Sequence, residues 1–439
     1  MEWYLALAII VGIFVVLLLI GMPVAFSFLL VNLIGVILWW GGTAGLSQFI
    51  LSILGSVTTF ALIPVPMFIL IGGVMFHTGM APRAIDALDQ WLGRLPGRLS
   101  LLAVGGGTVF ATLSGSAVAG TAMLGSVLVP DMERRGYKKP MSLGPILGSG
   151  GLSIMIPPSA LGVLLACLAK ISVGAILVAI IFPGLLMAIL YTAYIIIRCR
   201  LQSHLAPAYE VPSIPLAKKS ADFARYVLPL AIIVFLVIGV VFLGLATPSE
   251  AAAMGAFGSF ILAACYGKLN WEAVKKSVGT TLHITVMMLM IFTGSVAFSQ
   301  ILAFTGATVG LCELATALPL TPMMLLVVMQ VTLLAMGTFM EPLAIMMVTL
   351  PIYMPIIHAV GFNPLWFGVI MLLNMEMATT SPPFGLGLFA MKGVAPPDTT
   401  MKDIYLAALP FLGCDLIAMI AMMFFPPLSL WLPSMMIIH

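Results

Sequence analysis

PDMERRGYKKPMSLGPILGSGGLSIMIPPSALG (130–162) and PIIHAVGFNPLWFGVIMLLNMEMATTSPPFGLG (355–387) align with each other without a gap, at an offset of 225 residues. Both copies carry the same glycines and prolines in an otherwise apolar pattern: Pro130, Gly136, Pro157, Pro158 and Gly162 in the first, and Pro355, Gly361, Pro382, Pro383 and Gly387 in the second. Paired apolar segments that Gly or Pro interrupts in corresponding halves of a chain are typical of the binding site of a secondary transporter. The repeat therefore predicts both the fold and the place of the functional site.

The composition is that of a protein buried in lipid. The chain is 62% hydrophobic and 8% charged, whereas soluble domains carry about 25% charged residues. Apolar runs of about 20 residues, the length needed to cross a bilayer as a helix, recur along it. We expect a polytopic α-helical membrane protein whose first helix is not a signal peptide, because residues 1–20 lack a basic start and a small-residue cleavage site. The net charge of +3 gives no reason to expect a nucleic-acid partner.

Chemistry-bearing side chains are sparse. The five cysteines and five histidines are scattered, without CxxC or HExxH, so no metal site or disulfide framework is predicted. No nucleophile–base pair, cofactor motif or GxxxxGK[ST] loop is present. We expect no enzymatic activity and no cofactor.

Two regions, 99–132 and 322–359, each contain two apolar stretches around a small or polar tip, TLSGS (112–116) and GTFME (337–341). A helix over 99–110 would be about 18 Å long, too short for a hydrocarbon core of about 30 Å. Both regions are therefore predicted to be re-entrant hairpins. The Pro-Pro pairs break two further helices, and the predicted helices are 3–20, 23–40, 46–61, 63–79, 140–169 (broken), 172–197, 226–245, 250–267, 280–304, 364–391 (broken) and 404–432.

The flanking charges orient the two hairpins. Lys and Arg are enriched in cytoplasmic loops, and they flank the first hairpin on both sides (Arg83, Arg94, Arg98, Arg134, Arg135, Lys138, Lys139). The stretches 305–321 and 356–363 beside the second hairpin contain no Lys or Arg. The hairpins are therefore predicted to enter from opposite sides, as an inverted-topology pair.

Helix breaks at membrane depth create ion sites. Freed carbonyls can coordinate a cation, and the N-terminus of the following half-helix favours an anion. The tips offer hydroxyls and carbonyls but no fixed charge in the first copy, which suits Na⁺ better than Ca²⁺ or Mg²⁺. The alternative is that Pro-Pro only kinks the helices and Ser-Gly-Ser only eases packing. The coincidence of both motifs at one offset, with opposite flanking charge, favours the ion sites.

Three acids in apolar surroundings have open roles. Asp415 lies within the last apolar helix, where an acid is a functional candidate or part of a protein interface. Glu341 begins a helix, where an acid complements the helix dipole. Glu376 lies in the second broken helix and could be a cation ligand or a structural acid.

At these residues the chain resembles the large membrane subunit, DctM, of tripartite ATP-independent periplasmic (TRAP) transporters, which belong to the ion transporter superfamily. The matching motifs are SGSAVAGTAMLGSVLVPDMERRGYKKP (114–140), IPPSALGV (156–163), TPSEAAAMG (247–255), GTFMEPLAI (337–345) and SPPFG (381–385). The resemblance implies an elevator: a transport domain (99–169 and 322–395) moves against a scaffold (1–98, 170–321 and 396–439). It also implies a multi-pass protein of the bacterial inner membrane, a small TRAP membrane subunit, and a periplasmic substrate-binding protein that delivers an organic acid.

The resemblance also assigns residues. The sodium ligands it implies are Ser114, Ser116, Gly151, Ile154 and Pro157 at the first site and Gly337, Met340, Thr379 and Pro382 at the second. The implied substrate-binding residues are Thr112, Ser116, Ser159, Thr338, Thr380 and Ser381. Na⁺ is then the only metal ion, acting as the coupling ion.

The sequence thus predicts the permease subunit of a Na⁺-coupled TRAP transporter for a carboxylate or sulfonate. The alternatives are an ion channel, although no pore motif or charged ring is evident, and a sodium- or proton-coupled anion carrier that works without a binding protein. Which organic acid is carried, the number of Na⁺ ions, the oligomeric state and the partner genes stay open.

Overall fold

The computed structural model describes residues 2–93, 95–114, 117–207 and 214–437, and it leaves out the side chains of 81, 110–114 and 119. Within these residues the chain forms 22 α-helices and no strand. In chain order they are α1 (Trp3–Leu19), α2 (Val24–Trp39), α3 (Thr43–Val57), α4 (Pro64–His77), α5 (Met80–Asp89), α6 (Arg98–Ser114), α7 (Ala117–Arg134), α8 (Lys139–Met155), α9 (Ala160–Ala169), α10 (Val173–Ala179), α11 (Ile181–Leu201), α12 (Leu216–Tyr226), α13 (Leu228–Phe242), α14 (Pro248–Cys265), α15 (Trp271–Phe304), α16 (Ala307–Ala317), α17 (Pro322–Gly337), α18 (Pro342–Val360), α19 (Pro364–Thr380), α20 (Leu386–Val394), α21 (Met401–Phe424) and α22 (Pro427–Ser434).

The helices have the length and composition of membrane spans. Seven described segments are long and apolar enough to cross a bilayer, or eight when α8 and α9, bent by 42° at their break, count as one span. The all-helical polytopic membrane fold predicted from the composition is confirmed.

The internal repeat is visible in the helix boundaries. Helices α8 and α19 begin and end at positions that differ by the offset of 225. Both are followed by a break that contains a Pro-Pro pair with a cis peptide bond. Gly136 and Gly361, which follow α7 and α18, both have a φ of +82°, a left-handed conformation that glycine adopts without steric cost. The two copies therefore share their backbone path as well as their sequence pattern.

The arms of the first hairpin pack closely on the first broken helix. A Cβ atom on Gly107 of α6 would lie 2.5 Å from the Cβ of Ser149 on α8. A Cβ on Gly150 would overlap Thr121 of α7. Glycines at these contacts let the helix axes approach, because any larger side chain would collide with the facing helix.

The second hairpin packs on the second broken helix in a comparable way. Asn374 of α19 donates its amide to the Gln330 backbone carbonyl (2.9 Å) and side-chain carbonyl (3.0 Å) on α17. At the tip, a Cβ on Gly337 would lie 2.5 Å from the Cβ of Ala378. The second tip therefore lies against the approach to its own helix break.

Two helices placed in the predicted scaffold also contact the broken helices. Phe411 of α21 packs on Gly144 and Gly148 of α8, and its ring is 5.3 Å from that of Tyr191 on α11. Helices α8, α11, α19 and α21 thus form one packed group at the centre of the described structure. The division into transport domain and scaffold stays a prediction.

Several boundaries differ from the predicted helices. Helix α15 begins at Trp271 rather than at 280. The apolar pattern placed its start too late because the first turns carry charged residues, among them the exposed pair Glu272 and Lys276 (2.7 Å). The predicted helix 404–432 is two helices, since it is interrupted next to Pro426. The polar stretch 200–222 between the two halves, for which the sequence predicts no fold of its own, runs into the amphipathic helix α12. That helix packs on α5 through a hydrogen bond from Gln90 to Asp222 (3.0 Å).

Candidate functional site

A cavity of about 180 Å³ lies where the two repeats meet the long helices α4 and α15. From the repeats, it is lined by both hairpins and by both helix breaks. The part of its wall that α4 and α15 form is apolar. The described lining residues are Ile69, Ala117, Val118, Ile154, Leu161, Ile284, Met287, Met288, Glu341, Pro342, Leu343, Thr379 and Leu386.

Four helices contribute their first turn to this cavity. They are α7, α9, α18 and α20, and the lining residues from their first turns are Ala117, Val118, Leu161, Pro342, Leu343 and Leu386. The first turn of an α-helix has unpaired N–H groups and a partial positive charge of about half an elementary charge. These four termini bring positive partial charge to a cavity with no lysine or arginine in its described lining, and the last turns of α8 and α19, which contribute Ile154 and Thr379, bring carbonyl ends of the opposite sign.

The first break is held by one serine. Ser159 is buried, donates a hydrogen bond from Oγ to the Ile154 carbonyl (2.8 Å) and accepts one from the Gly162 N–H (3.2 Å). The same hydroxyl therefore caps α9 and fixes the carbonyl end of α8. Of the residues implied at the first sodium site, Ile154 lines the cavity, whereas Pro157 lines an apolar groove of about 530 Å³ against α13.

The second break presents the Thr379 carbonyl to glycine backbone. A Cβ on Gly385 would lie 2.6 Å from this oxygen, and a Cβ on Gly387 would lie 2.9 Å from it. The Thr379 hydroxyl donates to the Glu376 carbonyl (2.8 Å), and Tyr405 donates to the Pro383 carbonyl (2.8 Å). Glycine at both positions lets the turn pass directly over the end of α19.

Two of the hydroxyls assigned to the substrate, in addition to that of Ser159, already donate their protons within the chain. Thr338 donates to the Ala335 carbonyl (2.7 Å) and Thr380 to the Met377 carbonyl (3.3 Å). A hydroxyl in this state keeps free lone pairs but no free proton. As arranged, these side chains can accept from a ligand or coordinate a cation, and the donors for an anion are the helix N-termini.

The structure brings part of the assigned set together. Ile154 and Thr379 share the cavity, and Gly337 lies next to Ala378, the neighbour of Thr379. Gly151 faces Glu376 and does not belong to the cavity lining. Residues that do not belong to the described cavity lining are Ser159, Met340, Thr338, Thr380, Ser381 and Pro382. Ser116 lies outside the described residues, as do the side chains of Thr112 and Ser114.

Two features were not visible in the sequence. Glu341 precedes α18 but makes no side-chain capping bond; it lines the cavity as the one charged residue of its described lining. Asp415 accepts a hydrogen bond from Tyr191 and lies beside Glu376 in the protein interior. Among the residues that the structure describes, no three His, Cys, Asp or Glu side chains are placed to hold a metal ion.

The comparisons with known proteins agree with one another. Residues 11–428 match the family model described as the DctM component of the tripartite ATP-independent periplasmic transporter. The C4-dicarboxylate TRAP transporter large permease protein DctM of Pseudomonas aeruginosa is 33% identical over 85% of this chain and 86% of its own. The protein of the same description from Rhodobacter capsulatus is 31% identical over 98% of this chain and 99% of its own.

A solved structure has the same fold. The YdaH transporter of Alcanivorax borkumensis superposes with a TM-score of 0.62 over 88% of this chain and 90% of its own, at 15% sequence identity. This similarity supports the helical transporter fold and nothing about the cargo. Because the family model spans most of the chain and the relatives align along most of their lengths, the chain belongs to the DctM family of TRAP transporters, multi-pass permeases of the bacterial inner membrane.

Proposed function

We propose that this chain is the large permease subunit of a carrier that imports a small organic anion, a carboxylate or a sulfonate, together with Na⁺. The observation that carries the proposal is the convergence of four helix N-termini on one cavity between the repeats. Anions bind at helix N-termini because the N–H groups point at the ligand and the dipole favours negative charge. A cavity of about 180 Å³ fits a cargo of a few heavy atoms in this conformation.

Neutral oxygens at the two breaks support Na⁺ as the coupling ion. The Ile154 and Thr379 residues line the cavity, and Thr379 presents its carbonyl where α19 ends. Such donors lack the several carboxylates that Ca²⁺ sites use. A sodium ion beside the cargo would also offset the negative charge of Glu341.

An elevator motion fits the wall that faces the repeats. On that side the lining is Ile69 of α4 and Ile284, Met287 and Met288 of α15. These side chains make no directional bonds, so the hairpins and breaks can slide along them without breaking hydrogen bonds. Helix α15 has 34 residues, about 51 Å at about 1.5 Å per residue, which is longer than the bilayer core.

Two partners complete the proposed carrier. One is a periplasmic binding protein that delivers the cargo, and the other is a small membrane subunit that enlarges the scaffold. A relative from Oleidesulfovibrio alaskensis supports the second, because it is named an isethionate TRAP transporter permease protein DctMQ and this chain covers 66% of its length. The transport step itself needs no cofactor.

Glu341 favours a second class of cargo, a zwitterion. Glu341 lines the cavity at the N-terminus of α18, so a ligand with one anionic and one cationic group would satisfy both the helix ends and this acid. A relative from Halomonas elongata, 26% identical over 95% of this chain, is named an ectoine TRAP transporter large permease. Ectoine carries both charges.

Uptake into proteoliposomes tests the proposal. Liposomes with this chain and its small subunit receive an inward Na⁺ gradient and a panel of carboxylates, sulfonates and zwitterions, each with and without the binding protein. We expect accumulation of one class that needs both sodium and the binding protein. Electrogenic ion flux without solute accumulation would support a channel instead, and accumulation without the binding protein would support an independent anion carrier.

A further inference from the structure

Glu376, Asp415 and Tyr191 form a polar cluster in the interior, on α19, α21 and α11. All three side chains are almost fully buried, with exposed fractions of 0%, 1% and 0%. Tyr191 donates a hydrogen bond to Oδ1 of Asp415. Each residue lies within a helix of the packed central group, so the cluster has no route for charge screening by bulk water.

The cluster lies where equivalent positions of the two repeats meet. Gly151 and Glu376 differ by the repeat offset of 225, and so do Leu190 and Asp415. A Cβ on Gly151 would lie 2.6 Å from Cδ of Glu376 and would overlap Oε1. Residues that contact their own counterparts lie near the axis that relates the repeats, and here only the second copy supplies the carboxylates.

The two carboxyl groups lack donors. Apart from each other, the Glu376 carboxyl group and Oδ2 of Asp415 have no hydrogen-bond partner among the described residues, and neither carboxyl group forms an ion pair there. The two groups nevertheless lie within hydrogen-bonding distance of each other. The other ionisable group that faces them, Cys414, is not a cation. Two ionised carboxylates offer only acceptors, so a proton or a metal cation must lie between them.

The donor set limits what that species is. Three free carboxylate oxygens and one phenol oxygen are hard ligands that suit a hard cation. Ca²⁺ takes six to eight oxygens, and Mg²⁺ keeps several waters; four protein oxygens in a closely packed interior match neither. We propose that Glu376, Asp415 and Tyr191 form a binding site for a monovalent cation, Na⁺, in addition to the sites at the helix breaks.

Sodium binding measures the proposal directly. The purified chain with its small subunit in nanodiscs is equilibrated with ²²Na⁺, without substrate and without a gradient. We expect Glu376→Gln and Asp415→Asn to bind one Na⁺ fewer per chain than the wild type. Glu313→Gln, which removes an exposed acid on α16, should keep the wild-type stoichiometry. Full stoichiometry in Glu376→Gln would overturn the proposal and leave a shared proton as the positive species.

Thermal unfolding gives a second readout that covers variants with altered packing. The Tm of Glu376→Gln is compared with that of the wild type, each first measured without Na⁺. Adding NaCl, but not choline chloride, should raise the wild-type Tm more than that of the variant. Tyr191→Phe should keep the stoichiometry and weaken ²²Na⁺ binding several-fold. Equal responses to Na⁺ in wild type and Glu376→Gln would refute the site. Failure of sodium-driven uptake with intact ²²Na⁺ binding would refute only the proposed coupling.

Discussion

Replacing Gly337 by alanine tests whether the second tip must sit against its helix break. The added Cβ would lie 2.5 Å from the Cβ of Ala378 and 3.1 Å from its Cα, whereas carbon atoms normally approach to about 3.5–4.0 Å. Ala378 is buried on α19 and has no rotamer by which to move away. The backbone of the tip must therefore shift by about 1 Å, the difference between these distances.

The expected cost follows from this overlap. Overpacking a well-packed contact costs about 1–3 kcal/mol, and the gain in helix propensity from Gly to Ala, at most about 1 kcal/mol, is smaller here because Gly337 ends its helix. We expect Gly337→Ala to destabilise the protein by about 1–2 kcal/mol and to reduce uptake. Thermal unfolding and proteoliposome uptake measure the two effects.

A double-mutant cycle decides whether the contact with Ala378 is the cause. Ala378→Gly removes the Cβ that Gly337→Ala meets, at the expense of about 1 kcal/mol of helix propensity. The double variant should therefore be more stable than the sum of the single changes by about 1–2 kcal/mol. Gly393→Ala is the matched control, because nothing lies within 4 Å of its added Cβ. Strict additivity of the two substitutions would refute the proposed seating of the tip.

Three further predictions concern the ends of the broken helices. Ser159→Ala removes the hydroxyl that donates to a buried carbonyl (2.8 Å) and caps α9 (3.2 Å), so the free energy of unfolding should fall by about 1–2 kcal/mol. Lys139→Gln removes an ammonium bound to Glu133 (2.7 Å) and Asp398 (3.0 Å). Because the lysine side chain is a quarter exposed, the free energy of unfolding should fall by about 1 kcal/mol, and by less at high salt. Cysteines at Lys138 and Asn363, the exposed N-cap positions of α8 and α19, should react with a membrane-impermeant maleimide from opposite sides.

Each of these has a control and a contrary result. Ser172→Ala removes a cap at a helix surface and should cost less than Ser159→Ala; equal losses would mean that burial of the first break does not matter. Lys276→Gln breaks an exposed pair and should change the free energy of unfolding by almost nothing. A Lys139→Gln effect that is independent of salt would point to packing instead of charge. Labelling of both cysteines from one side would contradict the inverted repeat.

Features that depend on local chemistry could be predicted from the sequence. The Pro-Pro pairs predicted breaks within 140–169 and 364–391, and α8 and α19 end at Met155 and Thr380, because a residue just before proline is disfavoured in the α conformation. Thr247 and Glu250 have the spacing of a capping box before an apolar run, and they form one. In these cases the deciding atoms are within a few residues of each other.

Features that depend on tertiary packing could not be predicted this way. The sequence does not predict helix α12, because its lysines and serine interrupt the apolar pattern. The helix is stabilised by packing on α5. The cavity needs four helix ends that are distant in sequence, and no spacing rule says that they converge. The repeat does predict two breaks, but the distance between them is set by the packing of α8 on α19.

The Glu376–Asp415 pair shows what an internal repeat can and cannot reveal. Two positions related by the repeat offset, Gly151 and Glu376, contact each other, so the same side chain cannot occupy both: two glutamates would collide, and two glycines would leave a void in a close-packed interior. One copy must therefore be small for the other to place a carboxylate near the axis. A search for residues that match across the repeat finds the prolines and glycines of the breaks and passes over this pair. A search for positions where one copy is glycine and the other is charged would have found it.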